Sequence, residues 1–260
     1  MSSKNNFFNN KSTFDPDALL YLNNSNIFDL SVRSKVNNFF IDLKTNSLYN
    51  KIKAGWLFVG NDRDKNKLNI IEPFDADNFY RLTTLQANTS NNLGSTDILD
   101  THFIMPNELD ISNCGTTVTS GAGTDGGKIA FGAFISSTLE RFSLLITTST
   151  TNGVLAFRIN SQVTVSNTDA IGIYTNQKIS TTQGNVFKNG LKIINDTNIT
   201  GNLPNISMYL NALNSDGTIS LPDNKRLQTC LIHEGLNDFE VETLHTIIDN
   251  FENNLGRKTW

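Results

Sequence analysis

The sequence contains no cluster of five or six basic residues. Nucleic-acid binding by counterion release draws on such a patch. With 21 Lys and Arg against 25 Asp and Glu the net charge is −4, so no nucleic-acid partner is expected. Cysteine is equally scarce. Cys114 and Cys230 alone cannot build a disulfide framework. Both stand in strand-like stretches, where a free thiol packs as a small apolar side chain. No apolar run approaches the roughly 18 residues that a membrane span needs, so no membrane partner is expected either. Met1-Ser2-Ser3-Lys4 does not begin a signal peptide, and synthesis in a cytoplasm is the expectation.

Catalytic spacings are missing too. His102, His233 and His245 form no HExxH or other paired metal spacing, and there is no GxSxG nucleophile turn. Residues Gly121 to Lys128 include a GxGxxG, but a phosphate-binding loop must open a helix whose amides hold the anion. Here Ile129-Ala130-Phe131 reads as a strand. Ala122 and Ile129 stand where a P-loop needs Gly and Ser or Thr, so the segment is read as an inter-strand loop. Asp62-x-Asp64-x-Asn66 opens like a calcium loop but lacks its glycine and distal glutamate. Asp75-x-Asp77 and Asn214-Ser215-Asp216-Gly217 are similar turns. Calcium at such turns is an alternative without support, and no cofactor is expected. Glu140 and Glu234 are the glutamates weighed as glycosidase acids, and both read as surface charge. No enzyme activity is expected.

What the chain has in excess is asparagine, 37 residues in 260. Asn favours turns and left-handed backbone, so this composition suits many short strands joined by loops. From about 68 to 233, apolar and β-branched runs follow one another, broken by Gly, Asn, Asp, Ser and Thr. Val186-Phe187-Lys188-Asn189-Gly190-Leu191-Lys192-Ile193 is the clearest hairpin, because Asn-Gly accepts the two positive φ angles of a type I′ turn. Trp56-Leu57-Phe58-Val59 is read as the first strand. Helical spacing appears at both ends. Val32, Val36, Phe39, Phe40 and Leu43 form one apolar face, with Ser31 as its expected cap. Val241, Leu244, Ile248, Phe251 and Leu255 form the other, started by an Asn237–Glu240 capping box and stopped at Gly256. The expected fold is mainly β, a two-sheet antiparallel jelly-roll sandwich with an N-terminal helix and a C-terminal helix.

The order of these segments resembles a family of bacteriophage virion proteins. The resemblance lies in Phe40-Ile41-Asp42-Leu43-Lys44, Ser47-Leu48-Tyr49-Asn50-Lys51-Ile52 and Trp56-Leu57-Phe58-Val59-Gly60. It continues through Leu99-Asp100-Thr101-His102-Phe103 and the Val186–Gly190 hairpin to Glu234-Gly235-Leu236-Asn237-Asp238-Phe239-Glu240 and Leu255-Gly256-Arg257. It spans about residues 16–257. It implies a concanavalin A-like or laminin-G-like jelly roll in a head fibre, tail fibre or capsid decoration.

On that basis the chain divides into a polar docking arm (1–15), a helical leading segment (16–55), the jelly roll (56–236) and a terminal helix (237–260). The arm is aperiodic, and Phe7, Phe8 and Phe14 are its candidate docking residues. The expected role is a surface fibre or decoration subunit on the virion, a homo-oligomer whose partners are capsid, portal, tail or fibre proteins. The alternative is a carbohydrate-binding adhesin with a glycan ligand.

Overall fold

The computed structural model describes residues 14–121, 128–147, 149–158 and 161–260. The Asn-rich breaks separate short strands that assemble into two facing sheets, a jelly-roll-like β-sandwich. In the first sheet the order is Leu191–Asp196, Gly184–Lys188, Gly172–Lys178, Cys114–Ser120, Leu227–His233, Gly94–Ser95 and Ser90–Asn91, with Ile52–Trp56 also paired to Leu227–His233. In the second the order is Ser161–Asn167, Ser149–Arg158, Glu140–Ile146, Lys128–Ile135, Tyr209–Leu210, Ile98–Asp100 and Thr83–Gln86. The pairing is antiparallel except where Leu213–Ser215 runs parallel to Lys128–Ile135. That exception departs from the wholly antiparallel expectation. The chain turns back at Asn211, whose φ of 56° an Asn tolerates, and returns along the strand it has just paired.

The sandwich core lies between the sheets. Val118, Tyr174, Cys230 and Ile232 from the first meet Phe131, Phe142, Leu144 and Ile146 from the second. Both cysteines are buried there. The opposite face of the first sheet is also covered, by the helices Pro16–Asn24, Leu30–Thr45 and Asp238–Asn254. Ile173, Phe187 and Leu231 pack there against Tyr21, Phe39, Leu244 and Phe251. With both faces buried, Cys114–Ser120, Gly172–Lys178 and Leu227–His233 lose the alternating exposure of a one-sided sheet and are buried throughout. Polar side chains on their helix-facing side must therefore find partners inside the protein.

The terminal helix begins as expected. The Asn237 side chain accepts from Glu240 N and the Glu240 side chain accepts from Asn237 N. It ends where Gly256 takes a φ of 71°. The Phe251 ring lies 4.5 Å from that of Phe39, centroid to centroid, so this helix belongs to the domain core. The tight Asn189–Gly190 turn is also found, with positive φ at both residues.

Three expectations are corrected. The first strand is Ile52–Trp56, not 56–59, and so lies mostly within the leading segment. Phe58 has a φ of 45°, which takes the apolar run out of the extended conformation. The stretch 68–71, where the strand-rich region was expected to begin, is no strand: Ile70 N donates to Gly55 O and Asn69 Oδ1 accepts from Gly55 N, so it hugs the sheet edge without a ladder. Asp29, not Ser31, caps the second helix, accepting from Val32 N at 2.9 Å.

Candidate functional site

The terminal helix, the Asn189–Gly190 turn and the chain end enclose a cleft of about 400 Å³ on the helical side of the protein. One wall is the Trp260 indole, half-buried and packed on the helical core. Its Nε1 donates to Asp249 Oδ1 at 2.8 Å, and Lys258 Nζ donates to Asp249 Oδ2 at 2.9 Å. Each carboxylate oxygen thus accepts a hydrogen bond, and Asp249 holds the indole at the edge of the cleft. Glu242, Thr246 and Asn189 supply further polar groups. An aromatic wall flanked by hydrogen-bonding side chains is the surface that a flat polyhydroxylated ring requires, with C–H groups against the ring and hydroxyls toward carboxylate, hydroxyl and amide.

The floor is His245, 3% exposed. Gly190 N donates to His245 Nδ1 at 2.6 Å, so the proton must sit on Nε2, which faces Thr175 Oγ1 at 2.7 Å. The Thr175 and Thr117 hydroxyls are 2.6 Å apart across paired strands, and Thr117 Oγ1 lies 2.9 Å from His233 Nε2. At the far end His233 Nδ1 faces the Glu234 carbonyl at 2.6 Å, which can only accept. The two ends therefore fix every donor between them. His245 donates to Thr175, Thr175 to Thr117, Thr117 to His233, and His233 to Glu234 O, with both rings neutral. Burial pushes His245 down to about 3, and the neighbouring His233 adds to this. Burial pushes His233 down to about 4, against the pull of the Glu234 carbonyl. Gly115 makes room for the chain, since a Cβ there would meet His233 Cε1 at 2.6 Å.

Of the residues singled out by sequence, Phe7 and Phe8 lie outside the described residues. Phe14 packs half-buried against the helical core, with the Arg33 guanidinium 5.6 Å from its ring centroid, so its face is used within this chain. Positions 122–127 of the glycine-rich loop also lie outside the described residues. The segment that follows is a strand, Lys128–Ile135. Asp62 caps the four-residue helix Arg63–Asn66, and the buried Asn66 side chain accepts from Gly60 N. Asp75 and Asp77 face Arg81, and His102 lies 2.8 Å from Thr83 Oγ1. The Asn214–Gly217 segment is a hairpin turn in which Asn214 Oδ1 accepts from Gly217 N. Glu234 pairs with Lys53 at 2.7 Å, and Glu140 lies at the start of a strand. Among the described residues no three His, Cys, Asp or Glu gather as a metal site, and no helix is long and apolar enough to cross a membrane. None of the described residues among these lines the cleft. His245, for which the sequence showed no metal-binding spacing, forms its floor. The signal for Trp260 was a lone tryptophan after the helix-stopping glycine, too slight to locate a site.

No family model matches the chain, and no curated protein sequence matches it. Solved structures do match in shape. A Trypanosoma rangeli sialidase in complex with a difluoro-KDN is 11% identical over 84% of this chain and 40% of that one, at a TM-score of 0.54. The same sialidase with 2,3-difluorosialic acid gives 11% identity, 84% and 39% coverage, and a TM-score of 0.52. The likeness is one of fold. This chain spans about 40% of the length of those sialidase structures. The Ruminococcus gnavus IT-sialidase CBM40 is similar at 12% identity over 52% of this chain and 83% of that one, with a TM-score of 0.41. Nothing among these neighbours points to a bacteriophage particle protein.

Proposed function

We propose that this chain is a carbohydrate-binding β-sandwich module that holds a glycan in the Trp260 cleft and does not cleave it. The observation that carries this reading is the fixed indole, anchored by Asp249 and Lys258, beside Glu242, Thr246 and Asn189 in a cleft of about 400 Å³. A volume of that size suits one or two sugar rings. The Asp249 oxygens are both engaged, which suits an orienting group better than a proton donor for glycoside hydrolysis. The neighbouring sialidase and CBM40 folds add that such sandwiches occur in sugar-handling proteins, although fold by itself does not assign a ligand.

The test is a glycan array followed by calorimetry on the best ligands. Trp260→Ala should weaken binding at least about tenfold, the scale of one aromatic stacking contact. Because the indole is only half-buried, the variant should melt close to the parent protein. Incubation with the bound glycans should release no reducing sugar. Unchanged affinity in Trp260→Ala would move the binding site elsewhere, and turnover would replace the non-enzymatic reading.

A further inference from the structure

A second cleft, of about 420 Å³, lies on the other flank of the terminal helix, toward Asp42 and Asn46 of the second helix. It shares Glu242 and Thr246 with the first, so these two side chains stand between the clefts and border both. Phe239 stands at its outer end. This ring is 74% exposed, although the helix has a full apolar face on which to bury such a side chain. Phe239, Glu242, Thr246 and Asp249 follow one another at steps of three and four residues. They therefore form a single stripe along the solvent side of the helix. One end of the stripe is an exposed aromatic ring, and the other is the Asp249 carboxylate that fixes the Trp260 indole. At a rise of about 1.5 Å per residue, the step from 239 to 249 covers about 15 Å, the reach of about three linked pyranose rings.

The charge along this stripe narrows the ligand further. Asp42, Glu242 and Asp249 line the two clefts, and Lys258 is the one cation among the described lining residues. That cation is already paired with Asp249. Lys192, near the Phe239 end, is paired with Asp238 at 2.7 Å. A sialylated or uronic-acid glycan would bring its carboxylate against Asp42 and Glu242, groups of the same sign, which costs affinity. Neutral sugar hydroxyls would instead donate to them.

We propose that the two clefts are subsites of one groove that binds a neutral oligosaccharide of about three units, with Trp260 and Phe239 as its terminal stacking platforms. This rests on the glycan-binding reading above and adds the length and charge class of the ligand. It also separates this chain from the ligand named for one of its fold neighbours, a CBM40 bound to α2,3-sialyllactose.

The experiment is calorimetry on the whole chain with cello-, malto- and chito-oligosaccharides of one to four units and with 3′-sialyllactose. At least one neutral series should gain tenfold or more in affinity between one unit and three, then level off. Phe239→Ala should erase that gain. Trp260→Ala should weaken every length. The exposure of Phe239 means its variant should fold, and an unchanged urea midpoint would establish this. Affinity independent of length, a Phe239→Ala variant that keeps the full gain, or tighter binding of sialyllactose than of every neutral sugar would each overturn the proposal while leaving glycan binding intact. If no sugar binds at all, both readings fall together.

Discussion

Lowering the pH from 6.5 to about 4.5 should remove about 4 kcal/mol of folding stability. Two neutral imidazoles buried in one hydrogen-bond chain are responsible. In the unfolded chain both rings have the ordinary histidine value of 6.5 and take up protons across this window. In the folded protein they do not, because they titrate at about 4 and about 3. The unfolded state then binds more protons, so stability falls with pH. The contribution is complete above pH 6.5 and is lost as pH falls toward the folded values. The geometry explains the resistance to protonation. A proton added to His245 Nδ1 would oppose the Gly190 N–H, and one added to His233 Nε2 would oppose Thr117, and burial penalises either charge. Urea melts at half-unit intervals of pH measure this directly. Replacing both histidines by Gln should lower stability at neutral pH and flatten the slope across the window. A flat profile in the unaltered protein would mean that the rings are open to solvent.

Arg257→Met should destabilise the fold by about 3–5 kcal/mol, the range for removing one member of a buried ion pair. The guanidinium is almost wholly buried. It pairs with Glu252 through Nε and again through Nη2 at 2.9 Å. Its Nη1 donates to Phe58 O and its Nη2 to Leu57 O, each at 2.8 Å, and Nη2 also reaches Gln228 O at 3.2 Å. Removing it leaves the Glu252 carboxylate buried with Thr229 as its remaining partner, and leaves two carbonyls from the Trp56–Val59 run unpaired. The double variant Arg257→Met/Glu252→Met should be less damaged than Arg257→Met alone, since the stranded charge is then gone. The carbonyls would still keep it below the parent. A loss under about 1 kcal/mol would show that the tail is not docked through this residue.

The two effects converge on the cleft. Arg257 fixes the tail immediately before Lys258 and Trp260, and His245 is the floor beneath them. Loosening either should disturb the Trp260 wall of the cleft.

Arg257 also gives a physical meaning to a pattern visible in the sequence. The leading Trp56-Leu57-Phe58-Val59-Gly60 and the closing Leu255-Gly256-Arg257 lie about 200 residues apart, yet the guanidinium of one binds the carbonyls of the other. Arg257 is held there because Gly256, at positive φ, turns the chain back under the helix. Sequence reading found both segments by their order, but not the bond between them. The same bond accounts for the misplaced first strand, because a carbonyl pair turned toward a buried guanidinium cannot also sit in a ladder.

What the sequence determined by itself was local. Alternating short apolar runs and Asn-rich breaks fixed a two-sheet sandwich, Asn189-Gly190 fixed a hairpin, and the spacing of Asn237, Glu240 and Gly256 fixed the ends of the last helix. The hairpin and the helix ends depend on contacts within a few residues, and the sandwich class follows from the run of short strands, so the amino-acid types carry that information. The cleft, the histidine chain and the buried ion pair depended on tertiary structure alone. Thr117, Thr175, His233 and His245 come from three strands and a helix, and they meet only because both faces of the first sheet are covered. Trp260 acquires a role only where Asp249 and the Asn189 turn come to stand beside it. Polar residues announce a turn or a surface when read singly. Buried against one another, with water excluded, the same residues become the floor and walls of a site.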